Sequence, residues 1–84
     1  MTDLEYDVLD ELYFVTPFHQ VRQTLELEDD ELRNVLQSLL RKGWVRCYRN
    51  ASEAIAADET NFAEHYAQYS YLASKEGLLA HHGR

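Results

Sequence analysis

Five polar residues, Arg33, Asn34, Gln37, Ser38 and Arg41, stand close together in the middle of the chain. Arginine, asparagine and glutamine can each form paired hydrogen bonds to base edges in the DNA major groove, and serine can donate or accept there. Arg33, Asn34, Gln37 and Ser38 are therefore candidates for reading bases. Arg22, Arg41, Lys42, Arg46 and Arg49 offer a second chemistry, positive charge that neutralises phosphates and releases their counterions. A solvated helix face can have the same composition with no further role, so these residues gain meaning only from the elements that position them.

Other chemistries find less support. His19, His65, His81, His82 and Cys47 are the available soft ligands, and no pair of them has a recognised metal-site spacing. There is no glycine-rich phosphate loop and no nucleophile elbow. Cys47 lies in an alternating run, where a small packed residue is expected rather than a nucleophile. We therefore expect no metal, no cofactor and no enzymatic activity.

The totals bound the rest. Eighty-four residues make one domain, which buries roughly 60–65% of the surface of its unfolded chain. That leaves room for one core and little for an enclosed cavity. A single cysteine excludes an internal disulfide and suits a reducing compartment. Neither a signal peptide nor a membrane span is legible, so a soluble, cytoplasmic protein is expected. The formal net charge is −7, which taken alone opposes nucleic-acid binding. Its distribution is uneven. Residues 1–31 hold ten acids and one base, Arg22, whereas residues 32–49 hold five bases and no acid.

The elements that must position these residues follow from capping and periodicity. Thr2 and Glu5 form a capping-box pattern. Leu4, Val8, Leu9, Leu12 and Val15 recur at helical spacing, predicting a helix over 3–14 with Asp3, Glu5, Asp7, Asp10 and Glu11 largely toward solvent. Thr16-Pro17 is a helix-start signal, and Phe18, Val21 and Leu25 give a short helix over 17–24. Asp29 or Asp30 can cap a third helix over 29–42, whose stripe is Leu32, Val35, Leu36, Leu39 and Leu40. Gly43 stops it. Residues 44–49 alternate as a strand, and Tyr66 to Ala73 reads as its returning partner. Between them, Ala51 to Glu59 reads as a helical turn or an irregular excursion. Ser74 can cap a last helix from Lys75 to His81.

Three helices, a two-stranded wing and a short terminal helix define an α+β winged helix-turn-helix, with residues 1–84 as one domain and a long wing insert at about 50–66. At this point the stretch VRQTLELEDDELRNVLQSLLRKGWV resembles the winged-helix transcriptional regulators of the MarR-like and PadR-like group. Val21, Leu25 and Leu27 correspond to the apolar positions of that family's second helix and turn. Leu32, Val35, Leu36 and Leu39 correspond to the buried face of its recognition helix, and Gly43-Trp44-Val45 to its helix stop and first wing strand. Tyr71 to Gly77 is similar to the second wing strand and the Thr-x-x-Gly start of the last helix, with Ser74 at the threonine position.

The resemblance implies a DNA-binding regulator with residues 29–42 as the recognition helix, and it allows a homodimer through the terminal helices. It also implies that Trp44, Tyr48, Tyr66, Tyr69 and Tyr71 pack between wing and helices, with a partner groove lined by some of them as the alternative. The chain departs from the family pattern at the acids Glu28 to Glu31. It departs again in the insert, which carries Glu53, Asp58, Glu59 and Glu64 and no Lys or Arg. Weak, salt-dependent binding to double-stranded DNA is the first expectation. A protein partner docked on the acidic surface and long insert is the alternative.

Overall fold

The first helix begins where its capping residues stand. In the computed structural model, which describes residues 1–50, 53–55 and 61–83, the Glu5 N–H donates to Thr2 Oγ1 at 3.1 Å and the Thr2 N–H donates to Glu5 Oε1 at 2.9 Å. Two donors that a helix start leaves without intrahelical partners are thereby satisfied. This helix, α1 (Asp3–Asp10), is shorter than its apolar periodicity suggests. Glu11 and Leu12 bond back to the Val8 and Leu9 carbonyls three residues earlier, tightening its end. Val8, Leu9 and Leu12 are fully buried. Glu5 is buried too, contrary to its expected place on the solvent side.

Thr16-Pro17 does not open a helix by side-chain capping. Thr16 Oγ1 instead donates to the Phe14 carbonyl at 2.8 Å. The two residues form β1 (Thr16–Pro17), and Pro17 stands before α2 (Phe18–Leu25) with no side-chain cap bond. Because proline lacks an N–H, it is tolerated at a sheet edge, and β1 is an edge strand. Helix α2 stops at Glu26, which adopts the left-handed conformation at φ 54°.

The longest helix, α3 (Asp29–Lys42), has the expected bounds but a different cap. Glu28, rather than Asp29 or Asp30, occupies the capping position, and its N–H donates to Glu31 Oε1 at 3.1 Å. Leu32, Leu36 and Leu39 are buried, with Val35 and Leu40 packed at the margins of the core. Gly43 ends the helix at φ 75°.

The sheet holds four antiparallel strands among the described residues, in the order β1-β4-β2-β3, where two were expected. Strand β2 (Val45–Asn50) pairs with β4 (Ser70–Ala73), setting Val45 opposite Ala73 and Cys47 opposite Tyr71. These four residues are buried, as the alternation in 44–49 requires. On the other side of β2 lies β3 (Glu53–Ile55), with Ile55 opposite Cys47. The expected helical turn or excursion at Ala51 to Glu59 is therefore a strand at residues 53–55. Its other positions lie outside the described residues.

Within the insert, α4 (Phe62–His65) runs into a single 3₁₀ turn at Tyr66–Gln68. The returning strand is thus confined to 70–73, and the helices number five rather than four among the described residues. Ser74 caps α5 (Lys75–His82), accepting from the Gly77 N–H at 3.1 Å and donating to the Gly43 carbonyl at 2.6 Å.

The molecule is thus a small α+β fold whose core joins Val8, Leu9 and Leu12 to Phe18, Val21, the α3 leucines and the inward sheet residues. Tyr71 is fully buried, while Trp44, Tyr66 and Tyr69 pack on the core margin. No helix among the described residues is long and apolar enough to cross a membrane.

Candidate functional site

Burying Leu32, Leu36 and Leu39 fixes the rotation of α3 and therefore which residues it presents. The opposite stripe is Asp30, Asn34, Gln37 and Arg41, all exposed. Their spacing of three to four residues places them above one another on one helix face. Arg41, at the C-terminal end, has its charge favourably placed relative to the helix dipole, as do Asp29, Asp30 and Glu31 at the N-terminal end. The face consequently runs from acidic to basic along its length.

Arg33 lies to one side of this stripe and is half-buried. Its guanidinium sits 5.7 Å from the centroid of the Tyr66 ring, within cation–π range. The Tyr66 hydroxyl donates to Asp29 Oδ1 at 2.5 Å, and that bond pushes the phenol above its ordinary range. Tyr66 also meets Phe18 edge-on at 5.2 Å between centroids. The insert thereby reaches back to the first turns of α3 and touches both an acid and a base there.

Ser38 and Lys42 lie on the other flank and turn toward α1. Ser38 Oγ donates to Glu5 Oε2 at 3.3 Å and Lys42 Nζ donates to the same oxygen at 2.6 Å. The Glu5 side chain is 6% exposed and that of Lys42 39%. Burial raises the Glu5 carboxyl. The bonds from Lys42, Thr2 and Ser38, together with the lysine charge, outweigh burial and hold it below its ordinary value. Lys42 Nζ also lies 4.8 Å from the Trp44 ring centroid. Both residues thus serve the α1–α3 contact.

The remaining bases divide in the same way. Arg49 forms an exposed ion pair with Glu53 at 2.8 Å across the β2–β3 hairpin. Arg46 is exposed on β2, where its charge helps hold the Glu76 carboxyl low, after the backbone and Ser74 bonds that do most of this. Arg22 is half-buried on α2. Among the described residues, neither Arg22, Arg41 nor Arg46 forms an ion pair.

An open groove of about 440 Å³ is lined by Arg49, His65, Gln68 and Tyr69. His65 Nδ1 is buried there without a hydrogen-bond partner. No group of three His, Cys, Asp or Glu residues that could hold a metal ion occurs among the described residues.

Periodicity finds the exposed stripe of α3, but it misses the residues that clamp its flanks. Glu5 had a legible signal, because a capping-box glutamate turns its carboxylate back toward the helix start. Tyr66 had none, since its partners Asp29 and Arg33 lie far away in sequence. No protein-family model matches the chain, and comparison with curated proteins and with solved structures returns no match either.

Proposed function

We propose that this chain is a winged helix-turn-helix domain that binds duplex DNA, with α3 lying in the major groove and β2 and β4 forming the wing. The observation that supports this most is the exposed stripe Asn34, Gln37 and Arg41, with Arg33 at its side. These side chains match the hydrogen-bonding edges of purines, and a groove about 12 Å wide admits a single helix. Asn34, Gln37 and Arg33 read bases in this proposal, while Arg22, Arg41 and Arg46 meet phosphates. Ser38 and Lys42 reach DNA only by leaving Glu5, and Arg49 only by leaving Glu53. The proposal assigns the chain no catalysis. A DNA-binding role and a buried Cys47 outside any disulfide agree with a cytoplasmic location.

Three phosphate contacts imply that log K falls with log salt at a slope of roughly −3. The acids at the start of α3 lie within a Debye length of about 8–10 Å of any phosphate beside them and weaken the contact further. Fluorescence anisotropy on a random duplex tests this directly. Binding at low salt should weaken steeply as salt rises. Arg33→Glu combined with Arg41→Glu should abolish it, with the circular dichroism spectrum retained and the melting point lowered only modestly by loss of the Arg33–Tyr66 contact and of the favourable Arg41 dipole interaction. Persistent binding by that double variant would remove α3 as the reader.

A second reading follows from the pairing of Lys42 and Arg49 with acids, which engages two of the eight Lys and Arg of an acidic molecule. On that reading the domain docks on a protein through its acidic surface and its insert. The absence of any DNA complex at low salt would favour it over the first.

A further inference from the structure

We infer that Tyr13, Phe14 and Leu79 form a docking surface for a basic segment of another protein, one with a large apolar side chain set among lysines or arginines. This surface is separate from α3 and does not depend on DNA binding. Phe14 is 81% exposed, Leu79 63% and Tyr13 41%. Their hydration is costly, at about 25 cal/mol per Å² of apolar surface. Phe14 follows Tyr13 in the chain, and Tyr13 packs against the end of α5, the helix that carries Leu79. The Tyr13 hydroxyl is 3.1 Å from His81 Nδ1, and the Tyr13 ring lies 6.3 Å from that of His82. His82 in turn stands one helical turn from Leu79 on α5.

The turn displaying Phe14 is held from both sides. Thr16 Oγ1 donates to the Phe14 carbonyl, and the Ala73 N–H donates to the Leu12 carbonyl at 2.8 Å. A held turn loses little conformational freedom on binding, which favours its use as an anchor.

Charge selects the occupant. Asp7, Asp10 and Glu11 occupy the last turns of α1 and the residue after it, two to six residues before Tyr13. Asp10 Oδ1 also lies 3.3 Å from His81 Nε2, which has no hydrogen bond of good geometry. A second copy of this chain would bring the same acids against one another, with a net charge of −7 on each partner. DNA is repelled for the same reason. A segment with positive charge around an apolar side chain satisfies both components.

The test uses the full chain, isotopically labelled, and a synthetic helical peptide with leucines at helical spacing and lysines elsewhere. A second peptide carries glutamates in place of the lysines. Amide shifts on adding the lysine peptide should concentrate at Tyr13, Phe14, Leu79 and His82, and the glutamate peptide should cause none. Phe14→Ser, which leaves the charge unchanged and alters no buried contact, should weaken binding at least about tenfold. Gln20→Ala, exposed on α2, should leave it unchanged. Shifts spread evenly over the acidic surface, or affinity insensitive to Phe14→Ser, would overturn the inference. So would a concentration-dependent dimer in sedimentation that Phe14→Ser disperses, because the occupant would then be a second copy.

Discussion

Glu5 does two things with one carboxylate: Oε1 accepts from the Thr2 N–H to close the helix start, and Oε2 accepts from Lys42 and Ser38 to tie α1 to α3. Charge-assisted hydrogen bonds of this kind contribute about 1.5–3 kcal/mol each when well placed. Glu5→Gln keeps the shape and an acceptor but removes the charge, so at neutral pH we expect a loss of about 1–2 kcal/mol. In a domain of this size that is a fall in melting temperature of roughly 4–8 °C per kcal/mol. The pH dependence has a definite sign. The folded carboxyl titrates below the ordinary value of 4.5, so its contribution is fully present above that value and is lost as pH falls through the lower, folded one. The melting-point gap between wild type and Glu5→Gln should therefore be constant above about pH 5.5 and close progressively in acid. A gap that widened in acid would show that the carboxylate is not the stabilising form. The same residue shows where helical periodicity, read without the capping pattern, fails. Helical spacing sorts residues by polarity and places every acid outward. Glu5 faces inward because its partners, Ser38 and Lys42, come from a distant element.

At the scale of elements, the meeting of α5 with the start of β2 has the least tolerance. Ser74 bonds forward to Gly77 and across to the Gly43 carbonyl, while its own N–H donates to the Trp44 carbonyl at 2.9 Å. A Cβ on Gly77 would collide with that same Trp44 carbonyl oxygen, which is backbone and cannot rotate aside. Gly77→Ala should therefore push α5 from the sheet and cost about 1–3 kcal/mol, although alanine is the better helix former by roughly 1 kcal/mol. Chemical denaturation of the variant measures this, and an unchanged or raised midpoint would refute the close approach. The helices were legible because their signals are local: α3 has five apolar residues in register, a left-handed stop at Gly43 and bases in its last turn. The small strands were not. Thr16-Pro17 satisfies a helix-start pattern and an edge-strand pattern equally, and two residues cannot alternate. Only pairing with Ser70 and Tyr71 decides between them. Glu53–Ile55 lies in an acidic insert, and of these three residues Ile55 alone is buried, too little alternation to suggest a strand. The exposed face of α3 was legible by subtraction of its apolar stripe, whereas the turn of Ser38 and Lys42 toward Glu5 depends on where α1 packs.

Over the whole molecule, salt should act in opposite directions on folding and on the proposed DNA contact. Fifteen acids face eight Lys and Arg, and two of those bases, Lys42 and Arg49, are already held by acids. The acids are also unevenly placed, with α1, the residue after it and the start of α3 supplying most of those in the first half of the chain. Repulsion among them opposes the compact state. Added salt screens exposed charges separated by more than a Debye length, which shortens from about 30 Å at 0.01 M to about 8 Å at 0.15 M. The partly exposed Arg49–Glu53 pair loses a little attraction at the same time, but an exposed pair of this kind contributes only about 0–1 kcal/mol. Relief of the long-range repulsion should prevail, so the melting temperature should rise between 0.01 and 0.15 M sodium chloride, by about 2–5 °C on the scale that applies to a domain of this length. The rise should be smaller at pH 4.5, where part of the carboxylate charge is neutralised. Over the same salt range the proposed complex with DNA should weaken, because its strength comes from counterion release. A melting point that fell with salt at neutral pH would mean that local ion pairs, rather than the surplus of negative charge, dominate the electrostatics of this fold.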